Sequence, residues 1–299
     1  MRYPRHISDP VNPKQVGHYQ TGHDGTHRNY YAGGKYMHLA AGMKGYRGNI
    51  YVIVDISDPA KPVEVGRWWV PGQKEGETPA PPQATSLHGP PEVVGNTVFL
   101  SYGGAGMVIV DIADVAKPKF VGRLSFSPPY IPFIGVHTIQ PVPGKNIAVV
   151  NSEAIRENCN EPANHASVVD ISNLARPRLV STFPTPLPPA EAPYKSFCEK
   201  GGRFGPHNQN QLQHNPFVKK QDHLIYLTYF NAGLRIYDIS ASTAPREVGY
   251  YMPPDPQKRR GVLPKGLAVS SEDVLVDSRG NIFVTDKNLG LYVLRYTGE

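Results

Sequence analysis

VDISDPAKPVEVGRW, residues 54–68, reads as a β-branched strand, a turn built on Asp and Pro, and a second short strand ending at an aromatic residue. The phrase returns as VDIADVAKPKFVGRL at 110–124, VDISNLARPRLVSTF at 169–183 and YDISASTAPREVGYY at 237–251. A shorter form, HISDPVNPKQVGHY, occupies residues 6–19. A period of about fifty to seventy residues calls for a solenoid, a propeller or an array. Upstream of the full phrases lie further apolar runs, NTVFLSY from Asn96, NIAVVNS from Asn146 and HLIYLTY from His223, with NIFVTD from Asn281 ahead of the C-terminal run. With one more segment before each run, every unit has about four strands, which is one propeller blade.

The two ends fix the expected count. GLYVLRYTGE at the C-terminus matches GLRIYDIS from Gly233 but lacks the outer strand that should follow, and residues 6–19 hold such a strand. The reading is therefore an all-β, five-bladed propeller in a single domain, residues 1–299. Its last blade combines strands of about 265–297 with the N-terminal strand of about 6–19, a pairing that removes exposed sheet edges. Contents of 29 Gly and 31 Pro suit a fold made of turns. No run is long and apolar enough to span a membrane, and MRYPRHISDP has no apolar signal core. These features lean toward a soluble, cytoplasmic chain, or a periplasmic or secreted one if Cys159 and Cys198 form a disulfide. The net charge of +6 is mild, and the densest basic run, Lys258 to Arg260, is short, so nucleic-acid binding is not expected. No phosphate loop, dinucleotide fingerprint or serine-nucleophile motif is present. The oligomeric state is not written in the sequence.

Folding the chain onto its repeat brings four histidines into one column. His27, His88, His137 and His214 each stand seven residues before a turn position, Gly34, Gly95, Gly144 and Gln221. The column falls on the first strand of four blades, which lines the axis of a propeller, so the four imidazoles are expected to converge. Convergent neutral imidazoles suit one transition-metal ion, Zn, Cu, Fe or Ni. In GPHNQNQLQHNP the histidines are seven apart: the register selects His214 as the fourth ligand and leaves His207 as a substrate contact or acid/base. The fifth blade breaks the pattern with Glu272 and Asp273, either of which is a candidate for the remaining place. Glu92, four residues after His88, is a candidate acceptor for a ligand N–H, and Glu153, after NIAVVNS, is a lesser one. Long proline-rich segments enter the histidine strands. Their aromatics Tyr130, Phe133, Tyr194, Phe197 and Phe204 are expected to roof an apolar chamber over the metal.

The recurring VDISDPAKPVEVG and YDISASTAPREVG phrases resemble the LVIVD repeat of bacterial and archaeal β-propeller proteins, over nearly the whole chain. The four-histidine column is similar in kind to the iron centre of carotenoid cleavage oxygenases, and copper-binding propellers related to selenium-binding protein are the other comparison. That likeness implies a mononuclear non-haem enzyme, an Fe(II)-dependent oxygenase or oxidoreductase acting on an apolar or aromatic small molecule. Two other readings stay open: a lyase or hydrolase using the metal as Lewis acid, and a non-catalytic binding propeller.

Overall fold

The computed structural model describes residues 5–6, 8–78, 85–126, 130, 132–260, 262 and 265–298. They form a five-bladed, all-β propeller in which every named strand pairing is antiparallel. Blade one comprises Gly25–Tyr30, Tyr36–Gly42, Asn49–Asp55 and Val63–Trp68. Blade two comprises Glu92–Val94, Thr97–Ser101, Met107–Asp111 and Lys119–Leu124. Blade three comprises Ile134–Pro141, Ile147–Glu153, Ala166–Asp170 and Arg178–Thr182. Blade four has Leu224–Thr228, Leu234–Asp238 and Arg246–Tyr251, and blade five has Ser271–Val276, Asn281–Asp286 and Gly290–Arg295. The inner place of blade four is taken by residues 207–210. They bond to the next strand through His207 N to Thr228 O at 2.9 Å and Asn210 N to Tyr226 O at 3.1 Å.

The repeated phrase explains its own turn. Asp55 Oδ1 accepts from Ser57 N at 2.8 Å, Asp111 from Ala113 N at 2.8 Å, Asp170 from Ser172 N at 2.8 Å and Asp238 from Ser240 N at 2.7 Å. Each aspartate closes the end of a third strand by bonding the backbone two residues on, a local geometry its short side chain is suited to. The outer strand that follows is bulged where the phrase reads VG or VS. The bulge turns Val65, Val121, Val180 and Val248 onto the apolar clusters between blades. The glycine beside it lies against the next blade: a Cβ on Gly66 would collide with Val115 O, and one on Gly122 with Leu174 O. Ser181, at that place in blade three, instead donates from Oγ to Ser242 O at 2.6 Å.

The N-terminal segment departs from the expected arrangement. Among the described pairings, Lys14–Gln15 joins Arg5–His6 in a separate two-stranded sheet and not blade five. The register Arg5↔Gln15, His6↔Lys14 copies Val54↔Glu64, Asp55↔Val63 of blade one. The phrase therefore carries its local hairpin with it, and that pairing wins over the ladder of the last blade. Gly17 still packs on blade one as a preceding outer strand would, with Pro59 O in the way of any Cβ. Ile7 lies outside the described residues.

Apolar cores fill the gaps between successive blades. One cluster joins Ala40, Tyr51 and Ile53 to Val98, Leu100 and Val108, and three others bridge blades two to three, three to four and four to five. The fifth, with Leu39, Ala41, Ile50, Val52 and Val54, draws on blade one and on Tyr19, and holds no blade-five residue. On the facing side, Leu291 and Val293 of the last strand are 58% and 59% exposed.

Two histidines inside this packing are structural. His38 Nδ1 pairs with Tyr51 Oη at 2.7 Å; His165 bonds Gly135 O at 3.0 Å and Ser167 Oγ at 2.8 Å and stacks on Phe126. Burial lowers both from 6.5 to about 4. An unfolded chain would take up these protons near pH 6.5 while the folded one refuses them until about pH 4. Their full contribution is thus present above pH 6.5 and is lost as the pH falls through that window, up to roughly 3 kcal/mol for each. The midpoint of urea denaturation should drop between pH 7 and pH 4.5, and drop less in His38→Gln. A midpoint independent of pH over that range would contradict this account.

Candidate metal centre

Four imidazoles form a chain around the axis, one from each of blades one to four. Ring centroids are separated by 4.3 Å from His27 to His88, 5.0 Å from His88 to His137 and 4.7 Å from His137 to His207. The backbone aims them. Inner strands are irregular between Thr26 and Asn29, between Ile134 and Thr138, and between Ser271 and Asp273, so His27, His137 and Glu272 all sit at bulges. A bulge re-aims a side chain that regular pleating would send to a neighbouring blade.

Glu153, at the end of the second strand of blade three, reaches into the middle of the chain. Its Oε2 lies 3.1 Å from His88 Nε2 and 3.5 Å from His137 Nε2, and its Oε1 lies 3.6 Å from His207 Nε2. Arg203 Nη1 approaches Oε1 at 3.4 Å. His88, His137 and Glu153 each offer a ligand atom within 4.8 Å of the other two, a grouping that could hold one ion, and His207 lies at its edge. His137 Nε2 and Glu153 Oε2 are buried without a hydrogen-bond partner among the described residues, an expense that a bound cation would offset.

The tautomers are also set for a metal. Thr138 Oγ1 lies 2.7 Å from His137 Nδ1 and 3.3 Å from His207 O, so when its proton goes to the carbonyl it accepts from Nδ1–H and leaves Nε2 bare. His207 Nδ1 faces the carbonyl of Glu272 at 2.7 Å; a carbonyl only accepts, so the proton is on Nδ1 and Nε2 is again a lone pair. Burial holds the His137 imidazole well below its ordinary value despite the opposing pull of Glu153, and burial likewise lowers His207. At Glu153 burial acts upward, but the facing imidazoles of His137, His88 and His207 outweigh it and hold the carboxyl below its ordinary range. Imidazoles around one carboxylate make a donor set suited to a divalent transition metal.

The other sequence candidates take different places. His214 is not with the group: it is exposed, edge-on to Tyr31 at 5.4 Å, beside the turn that ends the inner strand of blade one. The seven-residue register fails in blade four because residues 211–222 intervene between the inner segment and Leu224, so His207 takes the fourth position. Glu272 acts on His207 through its carbonyl, while its carboxylate pairs with Lys287 and Ser270 at 3.0 Å each. Asp273 faces Arg28 Nη1 at 3.7 Å. Glu92 is fully buried beside Tyr30, and burial raises its carboxyl well above the ordinary range. Held neutral there, it accepts from none of the clustered histidines, and Glu153 stands among them instead.

Among the described residues, four of the five aromatics expected to roof the site pack into cores between blades. Phe197 is buried on the short helix Phe197–Lys200, packed on Tyr194 and Phe204, and all three belong to the core between blades three and four. Tyr130 packs on His165, and Phe133 is half exposed under Arg156. The apolar area of Tyr130, Tyr194, Phe197 and Phe204 goes to the inter-blade cores, and the polar residues Arg28, Asn208 and Asp273 lie beside the histidines. Cys159 and Cys198 form a disulfide, Cα to Cα 5.4 Å. It ties the segment after Glu153 to the one leading into Arg203 and His207.

Four segments match the LVIVD repeat. They are residues 33–69, 92–125, 163–185 and 223–253, which fall on blades one to four. The LVIVD units thus coincide with the phrases that set the turns. No curated protein matches the sequence. Among solved structures, a protein from Lactobacillus plantarum aligns with TM-score 0.57 at 9% identity, over 92% of this chain and 68% of that one. The β-propeller domain of Cps50 (Swd1) from Myceliophteria thermophila gives 0.53 at 11%, over 88% and 68%. BamB from Moraxella catarrhalis gives 0.50 at 9%, over 95% and 61%. At such identities the likeness is one of fold.

Proposed function

We propose that this LVIVD-repeat propeller is a mononuclear metal enzyme, an oxidoreductase that works on a small molecule at the mouth of the axial site. The observation that carries the reading is the convergence of His88, His137 and His207 Nε2 on the Glu153 carboxylate, with buried atoms left unpartnered. Histidines with one carboxylate are the donor set of ferrous oxygenases, and when bound the ion would supply one-electron chemistry with O2. The chain's own residues hold the ligands in their metal-binding tautomers through Thr138 and the Glu272 carbonyl, and Arg203 balances the carboxylate. His27, solvent-facing at the rim, and Arg28 flank the approach. A carboxylate in the set, absent from the four-imidazole centre expected from the sequence, offsets one unit of the ion's charge.

The same donors also serve catalytic zinc, which gives a Lewis-acid lyase or hydrolase as the second reading. Elemental analysis of protein purified without added metal separates them. About one iron per chain, with oxygen consumption that requires it, is the expected result. Stoichiometric zinc with oxygen-independent activity selects the second reading, and no bound metal rejects both. The disulfide supports an oxidising compartment, periplasmic or extracellular, over the cytoplasm toward which the sequence leans.

A further inference from the structure

The corner after the second strand of a blade holds one station facing the axis, and three blades fill it differently. Aligning NTVFLSYG, NIAVVNSE and HLIYLTYF sets Gly103, Glu153 and Phe230 at that station. Blades two and four fold the corner alike. Tyr102 N bonds Gly106 O at 3.0 Å where Tyr229 N bonds Gly233 O at 2.7 Å, and Gly106 N bonds Gly103 O at 3.1 Å where Gly233 N bonds Phe230 O at 3.1 Å. In both, the station residue is left-handed, φ +50° at Gly103 and +45° at Phe230. Glycine adopts that conformation freely, whereas a bulky aromatic residue there is a steric outlier. Blade two shows that the corner closes with glycine, so the turn itself gives no reason for a phenyl ring.

What the ring touches does give one. Phe230 is fully buried and lies nearly parallel to His207, centroids 4.7 Å apart and planes at 23°. Arg203 Cζ sits over the phenyl at 5.3 Å on its way to Glu153. The bond from His207 Nδ1 to Glu272 O sets the tautomer but leaves the imidazole free to swing about that contact. A flat surface against its face removes the remaining freedom.

We infer that Phe230 is a positioning residue of the metal centre, held in a costly backbone conformation because its ring fixes the plane of His207 and so directs Nε2 at the ion. The inference rests on the metal reading above. Such supports typically contribute about 10–100-fold to metal affinity.

The test is Co(II) affinity by chelator competition for the wild type, Phe230→Leu, Phe230→Tyr, His207→Ala and the Phe230→Leu/His207→Ala double variant. Each is measured well below its own unfolding temperature, with folding checked by near-ultraviolet circular dichroism. Phe230→Leu should bind about tenfold or more weakly and show an altered cobalt d–d spectrum, and Phe230→Tyr should bind as the wild type does. In the His207→Ala background the leucine change should cost less than about twofold, since it then has nothing to hold. Equal costs in both backgrounds, or wild-type affinity in Phe230→Leu, overturn this inference and leave the metal centre standing. Absence of cobalt binding by the wild type overturns the metal reading itself.

Discussion

Glu153→Gln should purify without metal under conditions where the wild type retains it, while keeping its fold. The substitution preserves size and removes the charge at the one point where His88, His137 and His207 meet. Groups one step removed from a metal are typically worth about 10–100-fold in affinity, so the loss at this position should exceed 100-fold. Removing a neighbour in the repeat separates the ligands: His207→Ala should behave like Glu153→Gln, whereas His214→Ala, exposed beside Tyr31, should load normally. Metal content by elemental analysis and affinity by chelator competition are the measurements. Full metal content in Glu153→Gln would move the ion elsewhere in the molecule, and depletion in His214→Ala would restore the register read from sequence.

Opening the disulfide should cost both stability and metal affinity. Cys159 and Cys198 are separated by 39 positions. A cross-link over a loop of that length restricts the unfolded chain by about 4 kcal/mol in the chain-entropy account. In the folded state it joins two segments that bear on the centre: Cys159 follows Glu153 by six residues, and Cys198 precedes Arg203 and His207 on the same excursion. A backbone bond from Asn158 N to Gly202 O at 2.8 Å runs beside it, so reduction should loosen the pair of segments without releasing them. In Cys159→Ser/Cys198→Ser the denaturation midpoint should fall and the metal should leave roughly tenfold faster, within the range that supporting groups contribute. Equal metal dissociation rates with and without reductant would show that the centre is held independently of the bridge.

The fold was legible because each phrase carries its own turn chemistry. Asp55, Asp111, Asp170 and Asp238 repeat one backbone bond and so mark blades one to four. Three of the four clustered histidines were legible for a similar reason, since His27, His88 and His137 keep a constant distance from a turn. His207 broke the count because the insertion in blade four lies between the inner segment and its turn, where spacing conveys nothing about which histidine reaches the axis. Glu153 is less legible because it stands at the end of a second strand and not on a histidine strand. Its station is visible only when second strands are aligned past their last β-branched residue, where Glu153 falls opposite Gly103 and Phe230. The aromatics of the long segments misled because size and apolarity do not say which surface a ring will cover, and the cores between blades competed for them.

Among the described residues, four of the five junctions between blades share an apolar core, and none is found at the junction of the last blade with the first. Energetically the ring is therefore closer to a bent linear array of nearest-neighbour units, with two ends that happen to meet, than to a seamless circle. Blade five is the terminal unit of that array. The proposed ligands come from blades two, three and four, with His27 of blade one at the rim, so a bound ion would act as a rivet through the contiguous stack, and blade five would bear on it only through the Glu272 carbonyl behind His207.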